Sequence, residues 1–206
     1  VNMFQTIKNG GILMVPIIMC GLASLFIIIE RLYYFINVKK RDQKFEEDIC
    51  GALDKRDYSA AESACILADT PCADVVRTAL SYRNLNEADL KEAVQTKMDS
   101  VVPKFEHLLT ALGTIGNIST LLGLLGTVTG NIKAFGVLGN GGSMGDPALL
   151  ANAIAEALVT TVGGLTVSIP SIIFHNYFNS QVNHKIRDME SLVTKVIFKL
   201  TGKAPV

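Results

Sequence analysis

The most informative segment of the chain is Ala148-Leu-Leu-Ala-Asn-Ala-Ile-Ala-Glu-Ala-Leu-Val-Thr-Thr-Val-Gly-Gly-Leu-Thr-Val-Ser-Ile-Pro-Ser-Ile-Ile-Phe174. It is longer than the roughly 18 to 20 residues that a helix needs to cross about 30 Å of hydrocarbon. Glu156 is the only charged residue within it, and it would lie about 12 Å along the helix axis from Ala148. Placing a charged side chain at membrane depth costs roughly 3 kcal/mol, so such residues are rare and usually functional. Glu156 is therefore the first candidate functional residue.

Two further apolar segments accompany this one. The 206-residue chain is 49% hydrophobic and only 18% charged, with a mean hydropathy of +0.35, which is more apolar than the average soluble protein. The excess is concentrated in Ile12 to Ile29, Leu108 to Phe135 and Ala148 to Phe178. No segment alternates as a strand would. The pattern predicts an all-α integral membrane protein with three transmembrane helices extended into a cytoplasmic helical bundle.

The predicted organisation has four parts. They are an N-terminal transmembrane helix at 1–36, a cytoplasmic helical domain at 37–107, a transmembrane hairpin at 108–178 whose short external loop is 136–147, and a cytoplasmic C-terminal helix at 179–206.

Basic residues indicate the orientation of the chain. Of the 19 lysines and arginines, 17 lie between Arg31 and Lys104 or from Lys185 onward, and Lys39-Lys40-Arg41 directly follows the first span. Lysines and arginines next to spans mark the cytoplasmic side. We therefore expect the N-terminus outside and the C-terminus in the cytoplasm, with Lys133 near the outer end of the second span. The formal net charge of zero gives no indication of a nucleic-acid partner.

Helix breaks divide the cytoplasmic domain at 54–57, 70–71 and 84–86. The first helix is expected to end soon after the aromatic residues Tyr33 to Phe35, and a separate helix to begin at Lys44. Asn86 followed by Asp89 is typical of an N-cap with an acid at the third helical position. We expect the helix that starts there to continue through Pro103, with a kink, into the second span.

Nothing in the sequence indicates catalysis or a bound group. The four cysteines follow no spacing typical of disulfides or zinc, and no second acid or nucleophile accompanies Glu156 on the spans. We expect no enzyme activity, catalytic residue, metal or cofactor. His175 and His184 are expected to be solvated histidines at the cytoplasmic end of the third span.

One face of the second span carries small and hydroxylated residues. At about 100° per residue they fall within roughly 80° of arc, and they are Gly116, Thr120, Gly123, Thr127 and Gly130. Such a face can allow close helix packing, or it can line a pore or polar cavity. Periodicity alone favours packing slightly.

The third span has its own polar face, which Glu156 shares with Thr160. Thr161 lies about 140° away from Glu156 around this helix. Pro170 is tolerated in a membrane helix and would bend it, as a hinge or as a static feature. Glu156 itself can exchange protons, or it can merely hydrogen-bond a neighbouring helix.

Two long strings resemble the ExbB/TolQ/MotA family of proton-channel subunits, with ExbB and TolQ nearest. They are Leu121-Leu-Gly-Leu-Leu-Gly-Thr-Val-Thr-Gly130 and Ile154-Ala-Glu-Ala-Leu-Val-Thr-Thr-Val-Gly-Gly-Leu165, and Glu30-Arg31-Leu32 and Ser168-Ile-Pro170 add to them. The chain departs from the family pattern at Ser119-Thr120, where Ala-Pro is frequent, and at Ala153, where glycine is common.

The resemblance implies a stator subunit of a proton-driven motor in the bacterial inner membrane. Family members of the ExbB type form a homopentamer around the dimer of an ExbD- or TolR-like single-span protein, surrounded by membrane lipids, and pass energy to a TonB- or TolA-like transducer. By position, Glu156, Thr127 and Thr161 match the family's proton path. Periodicity selects Thr160 where the resemblance selects Thr161, and we prefer Thr161 for the pore.

Several alternatives remain open at this point. The chain can be an ExbB serving outer-membrane transport or a TolQ of the Tol-Pal system, and the transported ion can be a proton or sodium. A MotA-like stator usually has four spans. A structural membrane scaffold, in which Glu156 only joins helices, is the alternative outside this class.

Overall fold

A computed structural model describes residues 11–139 and 147–202. Six helices and no strand occur within these ranges. They are α1 (Met14–Asp54), α2 (Tyr58–Ala68), α3 (Pro71–Ser81), α4 (Glu87–Glu106), α5 (Leu109–Gly139) and α6 (Pro147–Thr201). By length and composition, α1, the α4–α5 segment Glu87–Gly136 and α6 can each cross a membrane. The predicted all-α class with three apolar helices is confirmed.

The described residues form two compact units. Unit 1 contains the residues up to Glu30 together with Leu108–Tyr177, and unit 2 contains Arg31–His107 together with the residues from Phe178. Helices α1 and α6 each contribute to both units. The first boundary between the units falls at Glu30, and the predicted end of the first transmembrane segment at residue 36 stays a prediction.

Three helix boundaries differ from the expectations. Helix α1 continues without a break through Lys44 to Asp54, so no separate helix starts there. Helix α4 passes through Pro103 but ends at Glu106, and Leu108 with φ of +64° separates it from α5. The expected continuous helix is therefore wrong. Helix α5 extends to Gly139, and residues 140–146 of the expected loop lie outside the described residues.

The short helices of unit 2 begin at side-chain caps. Asp57 accepts a hydrogen bond from the backbone N–H of Ala60 at 2.9 Å, and Thr70 caps α3, which has a proline at its first position. Asn86 Oδ1 accepts from the backbone N–H of Asp89 at 2.8 Å. These caps satisfy backbone donors that no helical carbonyl can reach. The predicted breaks and the Asn86 cap are confirmed, and α2, α3 and α4 pack in sequence.

The stretches of α1 and α6 within unit 2 run parallel to one another. The rings of Phe35 and Phe178 stack with centroids 5.7 Å apart. Three ion pairs follow along the two helices: Asp42–Lys185 at 2.8 Å, Glu46–Lys195 at 3.0 Å and Asp54–Lys199 at 2.6 Å. Only the first is largely buried, with side chains 14% and 13% exposed. This ionic and aromatic seam joins α1 to α6 here.

Unit 1 consists of the first part of α1, α5 and the first part of α6. Ser24 and Ser171 share a hydrogen bond of 2.6 Å between their hydroxyls, and Gly21 lies beside Val167. Since the residue numbers rise together along both helices, α1 and α6 are parallel in this unit. Gly116 lies beside Ile172 and Gly130 beside Ala157, so α5 and α6 are antiparallel.

Candidate functional site

Glu156 lies in the third turn of α6 and forms an ion pair. Its Oε1 is 2.8 Å from Nζ of Lys133 on α5, and the side chains of Glu156 and Lys133 are 31% and 58% exposed. Within the described part of α5 and of α6 as far as Tyr177, these are the only fully charged side chains. The acid is thus compensated by a cation of the same hairpin. This lowers the cost of placing it on an apolar helix.

Gly11, just before α1, forms the third side of the site. It adopts a φ of +64°, which favours glycine. A Cβ atom at this position would collide with Oε1 of Glu156. Oε1 of Glu156 therefore contacts the Lys133 ammonium and lies close to the Gly11 backbone, so all three segments of unit 1 meet at it.

The small face of α5 packs against α6. A Cβ at Gly123 would lie 3.3 Å from Cα and O of Thr161, and one at Gly130 would collide with Cβ of Ala157. Gly116 is in the same situation, since a Cβ there would lie 2.9 Å from the Ile172 side chain. The three glycines of the face therefore serve close packing within one chain.

Hydroxyl groups reinforce this packing. Thr120 and Ser168 share a hydrogen bond of 2.6 Å between α5 and α6. Thr161 donates to the carbonyl of Gly123 at 2.8 Å, and also to its own helix at Ala157, at 3.2 Å. The hydroxyl of Thr161 thus belongs to the helix contact in the isolated chain.

The two other threonines of interest occupy different surroundings. Thr160 is buried against Gly126 and donates to the backbone carbonyl of Glu156 at 2.8 Å. Thr127 is half-buried and donates to the carbonyl of Leu124 at 2.6 Å. Within the described residues, no hydrogen bond joins the Glu156 carboxylate to Thr127 or Thr161. The structure therefore brings Lys133 and Gly11, rather than these threonines, to the carboxylate.

Three other residues of α6 have clear positions. Pro170 is exposed and lies inside α6, which continues past it. His175 is half-buried, and its Nδ1 donates to the carbonyl of Leu109 at 2.8 Å. The expectation of a solvated His175 is therefore wrong, because its ring lies over Gly113 on α5. His184 is exposed, as expected.

Comparison with known proteins identifies the family. A model of the MotA/TolQ/ExbB proton channel family matches residues 67–191. The chain belongs to the MotA/TolQ/ExbB proton channel family. A putative biopolymer transport protein, ExbB-like 3 of Synechocystis sp. (strain ATCC 27184 / PCC 6803 / Kazusa), is 30% identical over 83% of this chain and 82% of its own length. The Tol-Pal system protein TolQ of Haemophilus influenzae (strain ATCC 51907 / DSM 11121 / KW20 / Rd) is 31% identical over 55% of this chain and 51% of its own length.

A solved structure of the MotA/TolQ/ExbB family has the same fold. The structure of C. jejuni MotAB matches with a TM-score of 0.61 and 14% identity, covering 91% of this chain and 76% of the matched one. The family resemblance of the two long strings is confirmed. Sequence reasoning missed Lys133 and Gly11 as neighbours of Glu156. Lys133 is the one lysine or arginine of the predicted hairpin, which was a partial signal, whereas no pattern pointed to Gly11.

Proposed function

We propose that this chain is an ExbB-type stator subunit of a proton-driven motor in the bacterial inner membrane. Five copies surround the dimer of an ExbD-like single-span partner, and proton flow is coupled to a TonB-type transducer that energises outer-membrane transport. The N-terminus is periplasmic, and residues 37–107 and 179–206 are cytoplasmic. Membership of a proton channel family supports the ion-coupling part of this proposal.

The proposal rests mainly on one observation, the partial exposure of the Glu156 side chain while it is paired with Lys133. A carboxylate that only joined helices would be enclosed by them, as the Thr160 hydroxyl is. Glu156 is instead about one-third exposed while it is paired with Lys133. A neighbouring chain can therefore reach it, and an acid within a membrane span is by default a candidate for ion transfer.

Thr127 and Thr161 complete the proposed proton path. Thr127 is partly exposed on α5 and can offer its hydroxyl to a pore. Thr161 holds the α5 backbone at Gly123 and so positions the wall of the path. Thr120, Thr160 and the glycines Gly116, Gly123 and Gly130 act in helix packing, and Pro170 shapes α6.

Proton flux tests the role of Glu156. The full chain and its single-span partner are reconstituted in vesicles with an enclosed pH-sensitive dye, and a membrane potential is imposed. We expect Glu156→Gln to abolish the flux that depends on the partner, while the complex stays assembled by size-exclusion chromatography. Thr166→Val on the same helix serves as the control, because the Thr166 hydroxyl bonds only within its own helix, to Val162. Full flux through assembled Glu156→Gln would instead support the scaffold alternative.

The choice of ExbB over TolQ rests on the breadth of similarity. The ExbB-like relative covers 83% of this chain, whereas TolQ covers 55%. Expression in strains that lack ExbB or TolQ separates the two functions. We expect restored energy-dependent outer-membrane uptake in the first strain and no restored outer-membrane integrity in the second. The reverse result would assign the chain to the Tol-Pal system.

A further inference from the structure

Lys133 has no part in the proposed proton path, although it is the closest charged group to Glu156 in the described structure. We propose that Lys133 is a built-in counter-ion that determines which cations reach Glu156. Its ammonium occupies the cation position on the carboxylate and thereby excludes sodium and other metal ions. The inference rests on the proposed function, because it specifies the ion that this same site accepts.

The geometry leaves little room for a metal ion. A hard cation requires several oxygen ligands around it, but Oε1 of Glu156 already accepts from Nζ of Lys133 at 2.8 Å. Gly11 also approaches this oxygen so closely that even one added carbon atom on Gly11 would collide with Oε1. A metal ion on the other carboxylate oxygen would lie within a few ångströms of the ammonium, where two positive charges repel strongly. A fixed cation is a general means of keeping cations out of a pore.

The need for several ligands and the lack of room for a metal ion do not limit a proton in the same way. It binds one carboxylate oxygen as an O–H group and needs no shell of ligands. Glu156 then becomes a neutral carboxylic acid, Lys133 remains an ammonium, and the charge of the site rises by one. The ammonium of Lys133 can leave the neutral acid, because its side chain is already 58% exposed. When the proton departs, the carboxylate regains its counter-ion.

Among the described residues, no other charged group lies at this end of unit 1. Among the described residues of the unit, the remaining acidic or basic side chains are those of Glu30 and His175. Both lie at the opposite end, since α1 runs parallel to α6 and His175 contacts the start of α5. The part of α1 that follows Gly11 carries no charge before Glu30. The cation on the site is therefore Lys133 alone within the described structure.

Chemical labelling of the carboxyl group tests the inference without the partner. A hydrophobic carbodiimide reacts with protonated carboxyl groups, and mass spectrometry of the full chain in detergent counts the adducts, with Glu156→Gln identifying the signal of Glu156. At pH 7.5 we expect Lys133→Met to be labelled about fivefold faster than the unmodified chain, the factor that matches the upper range for a partly exposed ion pair. Sodium chloride should slow the labelling of Lys133→Met more than choline chloride does. Lys133→Arg should behave like the unmodified chain, and so should Lys44→Met, which removes an exposed lysine of unit 2.

Each result has a definite meaning. Equal labelling of Lys133→Met and the unmodified chain, with no sodium effect in either, would overturn the inference. If Lys133→Met does not fold, the unmodified chain still decides, because specific slowing of its own labelling by sodium would show that a metal ion reaches Glu156. Failure of the proposed function is seen separately, as proton flux that survives Glu156→Gln.

Discussion

Replacing Gly164 by alanine tests the contact between α5 and α6 most directly. A Cβ at this position would lie 2.5 Å from the carbonyl oxygen of Ser119 and 2.9 Å from Cα of Gly123. Both atoms belong to the backbone of α5, so no side-chain rotation can relieve the overlap. The helices must separate, and the hydrogen bond from Thr161 to Gly123 would lengthen with them.

The geometry predicts a graded series. Overpacking a close contact costs about 1 to 3 kcal/mol, and we expect Gly164→Ala to lower the free energy of unfolding by about 3 kcal/mol because backbone opposes backbone. Gly123→Ala should cost about 1 kcal/mol, since its Cβ would lie no closer than 3.3 Å to any atom of α6. Gly136→Ala is the matched control on α5, where a Cβ would meet nothing within 4 Å. It should stabilise by about 0.5 kcal/mol through helix propensity.

Reversible denaturation of the purified chain in detergent, followed by circular dichroism, measures these differences. The order of stability should be Gly136→Ala, then the unmodified chain, then Gly123→Ala, then Gly164→Ala. If Gly164→Ala unfolded with the same free energy as Gly136→Ala, the inferred backbone contact between the helices would be wrong.

Three further predictions concern unit 2. Removing one partner of the largely buried Asp42–Lys185 pair, by Lys185→Met or Asp42→Asn, should cost about 3 kcal/mol in denaturant titrations. The double variant should recover much of the loss, and single variants costing under 1 kcal/mol would refute this. Burial raises the pKa of both the Cys65 and Cys72 thiols from 9.0 to about 12, so iodoacetamide should label them far more slowly at pH 8 in the folded chain than after unfolding. The thiol pKa is higher in the folded chain than in the unfolded chain, so the contribution of the two thiols to stability is fully present below pH 9 and should be lost as the pH rises from 9 towards 12. Denaturation at pH 8 and at pH 10.5 measures this loss. Asn86→Ala should cost about 1 kcal/mol in the same denaturation assay by removing the α4 cap, and an unchanged midpoint would contradict that role.

Much of the fold could be predicted because its signals are local. Span length is read directly from apolar segments, and the caps at Asp57, Thr70 and Asn86 are short-range patterns. The continuity of α1 also had a signal, since no proline or glycine occurs between Gly21 and Gly51. The break at Leu108 had none, because a leucine with φ of +64° is imposed by packing rather than by local preference.

Some residues of the candidate site could likewise be predicted from the sequence, and others could not. Glu156 was evident from its cost in an apolar helix, and the small face of α5 from its period. Lys133 was read only as a marker of orientation, since its pairing depends on the register of α5 against α6, which no single residue encodes. Gly11 and His175 depend on contacts between distant segments, and they became clear only once α1, α5 and α6 were placed together.

The glycine contacts between α5 and α6 also bear on stiffness. Where Gly123 faces Gly164, main chain touches main chain, and no flexible side chains remain to absorb sliding of one helix along the other. Packed interfaces of this kind shift between discrete arrangements rather than deform smoothly. We therefore expect the α5–α6 hairpin to move as a rigid body during ion transit. The conformational changes of each cycle should then occur at the faces of the two helices that do not contact each other.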